Sequence, residues 1–148
     1  MQPVFRYDFY VMTKPFWDEG IRFQCQGTGR CCTARGTYGY VYLTLADRRR
    51  LAKHFKIPTV SFTKKHCTKT NGHFHLKDFK RTCDYLKGTG CTVYDARPTQ
   101  CRTWPFWPEN MNARAWNHDV VSFCPGVGKG RLYTKAEIQK LLKQDPVS

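Results

Sequence analysis

The sequence predicts a small single α+β domain with short helices and strands, one half of which is irregular and organised by cysteine-bound metal. Three observations carry that reading. At 148 residues the chain suits one core, which buries roughly two-thirds of the surface an unfolded chain of this size exposes. Helical and extended patterns alternate over short stretches, with no internal repeat, low-complexity tract or linker. Between residues 83 and 128 that periodicity fails: four prolines and four cysteines fall where neither a long helix nor a central strand can form. The chain divides into an N-terminal arm (1–20), a cysteine-rich region (21–131) and a C-terminal helix and tail (132–148), all within one domain (1–148).

Each element has a local signal. The arm contains a candidate strand in "FRYDFYVM", and "TYGYVYL" alternates aromatic and small residues as a strand does. In "TLADRRRLAKHFKIP", Thr44 is an N-cap, Asp47 three residues on completes a capping-box variant, and Pro58 marks the far end. Leu45, Ala52 and Phe55 share one face with Leu51 beside them, while Arg49, Arg50 and Lys53 form a basic surface on another. Thr59 and Ser61 open a short second helix through Lys65. "NGHFHLK" reads as a turn and a strand, and "CTVY" as a further short strand. "YTKAEIQKLLKQD" repeats the capping logic with Thr134 and Glu137 above a buried stripe of Ile138, Leu141 and Leu142.

Eight cysteines stand at 25, 31, 32, 67, 83, 91, 101 and 124. The N-terminus lacks an export-type apolar run, so the expected compartment is the cytoplasm, or an organelle matrix after removal of a leader. Thiols stay reduced there, which favours thiolate ligands over the competing reading, a disulfide framework. A shared metal joins distant loops as a disulfide does and tolerates a reducing compartment. Thiolates are soft and select zinc, cuprous copper or iron–sulfur clusters. In "RFQCQGTGRCCT", Gly27 and Gly29 permit positive φ and let backbone amides turn toward sulfur. Cys31 and Cys32, being adjacent, point different ways, and which of them ligates stays open. The spacing matches neither paired zinc knuckles nor the bacterial ferredoxin run.

Net charge is +14, from 25 Lys and Arg against 11 Asp and Glu, which predicts an anionic partner, either RNA or an acidic protein surface, and is compatible with a place in a larger assembly. No apolar run approaches a membrane span. No nucleophile–base pair, phosphate-cradling glycine loop or paired carboxylates stand out, so the sequence does not point to an enzyme and catalysis would rest on the metal alone. His66, His73 and His75 surround Cys67, and His118 stands near Cys124; solvated or structural histidines are the preferred reading over ligands. Arg97 and Arg102 flank Cys101 as partners for sulfur charge or as structural pairs, and Trp104, Phe106, Trp107 and Trp116 are expected to wrap the metal-bound loops.

The segments "FQCQGTGRCC", "YVYLTLAD", "CDYL", "CTVYDARPTQCRTWPFWPE" and "CPGVGKG" together resemble the YkgJ-type cysteine-cluster family, described as a zinc- or iron-chelating domain or an iron–sulfur-cluster-containing protein. The resemblance spans about residues 21–131. It implies that Cys25, Cys31, Cys32, Cys83, Cys91, Cys101 and Cys124 are the metal-site cysteines, with Cys67 outside the pattern, and an iron–sulfur cluster (4Fe–4S favoured) or zinc as cofactor. Many relatives carry a further cysteine where this chain has Thr28, which implies a centre assembled differently or of lower nuclearity. The function expected is a metal-binding electron-transfer, metal-handling or structural module; the alternative is a basic RNA-associated or ribonucleoprotein component in which the metal is structural.

Overall fold

A computed structural model of the chain describes residues 13–32, 40–77 and 83–144; the side chain of Cys32 and the strand expected in "FRYDFYVM" lie outside that set. The elements in chain order are β1 (Ile21–Phe23), α1 (Leu45–His54), α2 (Thr59–His66), β2 (Cys67–Thr70), β3 (His73–Leu76), β4 (Leu86–Lys87), β5 (Gly90–Cys91), α3 (Thr99–Thr103), α4 (Ala113–Ala115), β6 (Val127–Tyr133) and α5 (Lys135–Leu142). Short 3-10 turns stand at Arg30–Cys32, Tyr94–Ala96 and Pro108–Asn110, and α4 continues as a π turn over Trp116–Val121. The fold is thus mixed α+β, as the sequence predicts.

Both expected capping boxes are present. Thr44 accepts from the Asp47 amide while the Asp47 carboxylate accepts from the Thr44 amide, and Thr134 and Glu137 do the same for α5. Each such cap contributes about 1 kcal/mol. The α1 pattern needs one correction: Leu51 and Ala52 are buried, but Leu45, in the first helical turn, is 45% exposed. Pro58 does not close α1, which ends at His54; it is the N-cap of α2, its fixed φ and missing amide suiting the start of a helix.

Lys56 turns the chain between these helices with φ 55°, a left-handed conformation that Gly or Asn normally supplies. Its amide donates to Lys53 O and the Ile57 amide to Ala52 O, closing the end of α1. A Cβ in this region is strained, so Lys56→Gly should raise stability by about 0.5–1 kcal/mol despite glycine's greater unfolded entropy. A urea melt that shows no gain would remove the strain.

The strands form three two-stranded antiparallel ribbons: β1–β6, β2–β3 and β4–β5. β2 and β3 pair in register from Cys67 opposite Leu76 to Thr70 opposite His73, around the Asn71–Gly72 turn. The expected "TYGYVYL" strand is reduced, within the described residues, to a bridge from Tyr42 to His75, with the Leu43 amide on Phe74 O and the Leu76 amide on Val41 O. The "CTVY" strand is corrected to a two-residue β5 ending at Cys91, followed by a 3-10 turn from Tyr94. The β1–β6 pair carries a bulge between Arg22 and Phe23, across which the partner jumps from Leu132 to Val127.

Two apolar clusters result. The first packs Leu43, Leu51, Phe62, Leu76, Tyr85 and Val93 between α1, α2 and the β2–β3 ribbon. The second packs Phe23, Trp104, Phe106, Trp116, Val120 and Ile138 beneath the β1–β6 ribbon and α5. Fully buried side chains such as Phe62 and Ile138 each stabilise by about 1.5–3 kcal/mol relative to exposure. Isolated two-stranded ribbons are marginal, so each depends on what packs against it.

Candidate metal centre

Three separated segments bring cysteines to one place. The β4–β5 hairpin pairs Leu86 with Cys91 and Lys87 with Gly90 across a turn at Gly88, and the Leu86 amide donates to Cys83 O at 2.9 Å. This puts Cys83 and Cys91 at the base of one small hairpin. The Cys25–Cys32 loop then lies against the hairpin through Gly29, at φ 69°: a Cβ there would stand 2.9 Å from Leu86 Cδ1 and 3.2 Å from Thr89 O. Only glycine permits that approach, and it delivers Cys31 two residues later. The fourth segment-end is α3, which carries Cys101 in its middle.

The sulfurs of Cys31, Cys83, Cys91 and Cys101 feel one another. Burial pushes the Cys101 thiol far above the ordinary thiol range, and Cys83, Cys31 and Cys91 add to that rise. Burial likewise raises Cys83, partly offset by a backbone hydrogen bond at Tyr85, with Cys91 and Cys31 contributing again. Cys101 and Cys83, both raised, require a soft cation to become thiolates together. Among the described residues no three His, Cys, Asp or Glu side chains are drawn in tightly enough to hold a bare ion, and no disulfide joins two of the described cysteines.

Every residue around Cys101 is pinned. Asp47 is fully buried; its Oδ1 accepts from the Thr99 amide at 2.9 Å and the Thr99 hydroxyl at 2.8 Å, and also from Arg50, while Oδ2 accepts from the Thr44 amide. One carboxylate therefore caps α1 and fixes the start of α3. Gln100 accepts from the Tyr42 amide and donates to Tyr40 O. Arg102 donates to Arg97 O and Asp95 O, and Trp107 Nε1 donates to Gln100 O and Thr103 Oγ1. Arg97 and Arg102 are thus backbone staples of the loop. Sequence reasoning missed Asp47 in this role, since its partner Thr99 lies 52 residues away.

Comparison with known proteins bears on the same region. A family model described as CxxCxxCC, "Putative zinc- or iron-chelating domain", matches residues 24–125. The chain belongs to the CxxCxxCC family. Membership supports metal binding, by zinc or iron chelation. An uncharacterized protein of Methanocaldococcus jannaschii is 28% identical over 117 residues, covering 75% of this chain and 61% of that relative, so the chain spans about three-fifths of the curated relative's length. No solved structure matches. The CxxCxxCC spacing lies over Cys25, Thr28, Cys31 and Cys32, with Thr28 in place of one cysteine; its hydroxyl accepts from the Arg30 amide at 3.4 Å.

The remaining candidates are placed as follows. The Gly27 amide, at φ 65°, donates to Cys25 Sγ at 3.4 Å, so this loop does turn an amide onto sulfur. Cys25 follows Gln24, whose amide donates to Gly126 O, so Cys25 and Cys124 sit toward one end of the β1–β6 ribbon. Neither is among the groups acting most strongly on Cys101. Cys124 packs on the second apolar cluster and Cys83 and Cys91 on the first. Cys67 is buried on β2, its thiol pushed up to about 11 by burial.

The histidines are structural or solvated. His75 is buried between Thr70 Oγ1 and Leu76 O, each at 2.8 Å; His66 stacks on Phe55 and Phe62 and meets Tyr85 Oη at 3.2 Å; His118 is exposed beside Asp119. The tryptophan-rich loop fills the second cluster, and of its aromatics Trp107 ties directly to α3. In the expected basic surface, Arg49 and Lys53 are exposed, but Arg50 is corrected: it is drawn onto Asp47 and Arg97 O because a buried carboxylate needs a cation. No helix among the described residues is long and apolar enough to cross a membrane.

Proposed function

We propose that the protein is an electron-transfer module holding an iron–sulfur cluster on Cys31, Cys83, Cys91 and Cys101. The observation that carries this reading is that the Gly29 approach sets the Cys31 loop against the Cys83–Cys91 hairpin, and that the sulfurs of both segments act on Cys101 of α3. The donor set fits: four soft sulfurs complete the ligation of such a cluster, which supplies one-electron chemistry when bound. An electron carrier needs an edge that a partner can reach. Cys31 is exposed, giving a docking protein access to one edge, and four sulfurs match the ligand count of a cluster. The hydrogen-bonded frame around α3 fixes the other edge at the half-buried Cys101.

Anaerobic purification with elemental analysis and a visible spectrum tests the reading. The expected result is a brown protein with stoichiometric iron and acid-labile sulfide and a reversible one-electron couple. A colourless protein carrying one zinc per chain would overturn it in favour of a structural staple at the same four cysteines.

A further inference from the structure

Residues 40–77 contain nine Lys and Arg but one acid, Asp47, and that acid is fully buried. Seven of the nine cations are exposed: Arg49, Lys53, Lys56, Lys64, Lys65, Lys69 and Lys77. Residues 83–144 also contain nine Lys and Arg but set five acids against them, and outside 40–77 ion pairs join Lys135 and Lys14 to Asp18 and Arg131 to Glu137 at 2.9 Å. None of those seven forms an ion pair with a carboxylate among the described residues. Arg49 and Lys53 are one turn apart on the solvent face of α1, about 6 Å along its axis. Lys56 continues the row past the helix end, in the left-handed conformation that costs stability for any residue with a Cβ. Three cations thus follow at spacings of four and three residues, the last at a position where glycine would be relaxed, a local rule broken where a binding role explains it.

We infer that the Arg49–Lys53–Lys56 row, extended by Lys64 and Lys65, is a contact surface for the phosphodiester backbone of nucleic acid. The composition favours phosphate over an acidic protein: six of the seven exposed cations are lysines, which protein interfaces exclude from their centres, while point-charge contacts to phosphate draw their free energy from counterion release. The surface offers no base-reading geometry, so contact is to backbone and independent of sequence.

Fluorescence anisotropy with the full metal-loaded chain tests this, using a 20-nucleotide single-stranded RNA, the same sequence as DNA, and polyglutamate. The comparison is between Arg49→Glu/Lys53→Glu/Lys56→Glu and a control of equal charge change on the other half, Lys129→Glu/Lys140→Glu/Lys143→Glu. The row variant should bind RNA at least about tenfold more weakly, with a salt slope shallower by about 2, while the control keeps most of both. Metal content should be unchanged, so the outcome is independent of the cluster reading. If the reversal fails to fold, Arg49→Ala/Lys53→Ala/Lys56→Gly removes the same charges and relieves the turn. Equal loss in row and control variants, no RNA binding by the unaltered chain, or polyglutamate binding as tightly as RNA would each overturn the inference; binding of RNA and DNA alike supports it as backbone contact, and RNA alone supports it with selectivity for the ribose.

Discussion

Replacing Asp47 by Ala is expected to lower stability by about 3–5 kcal/mol, a large share of what a domain of this size has. The side chain is fully buried and receives the Thr44 amide, the Thr99 amide and hydroxyl, and Arg50. Truncation leaves those donors unmatched in a space closed to water, and it loosens the α1 cap and the anchor of α3 at once. Asp47→Asn should fall between, because one oxygen remains for Thr99 while the charge opposite Arg50 is gone. Urea denaturation of the three proteins checks the order. An Ala variant within about 1 kcal/mol of the parent would show that this carboxylate does not hold the two helices together.

Cys101→Ser is expected to abolish stoichiometric metal in protein as purified, and to bring the melting temperature to that of chelator-treated parent. Serine is a hard, weakly acidic donor in place of the most buried of the four sulfurs, and the free energy of metal binding to a thiolate site is folding free energy, about 10 kcal/mol or more for structural zinc. Cys67→Ser supplies the contrast: it is buried in the first apolar cluster, and none of the four sulfurs is among the groups that shift its thiol. It should lose stability and keep full metal. Retention of metal and melting curve by Cys101→Ser would move the centre elsewhere.

What could be read in the residues alone follows from the range of each interaction. The caps of α1 and α5 were legible because Thr44 with Asp47, and Thr134 with Glu137, are partners three residues apart. The absence of long elements between residues 83 and 128 was legible from the prolines. β2 was not, since "CTKT" has no apolar alternation and forms because β3 lies beside it. Seven cysteines stand as equals in the sequence; the proposal singles out four of them on the approach of Gly29 to Leu86 and Thr89, a contact across nearly sixty positions that no local pattern announces. Arg50 looked like surface because its partner Asp47 looked like a cap and nothing more.

The apolar interior is split. Cys83 and Cys91 ride on one cluster, Cys31 follows the strand of the other, and α3 runs along the boundary from Thr99, moored to Asp47, to Trp104 on the far side. A group bound by these sulfurs is accordingly the rivet at a seam. Its loss withdraws a link shared by the two clusters, so both lose stability together, which is the fall in melting temperature expected of Cys101→Ser.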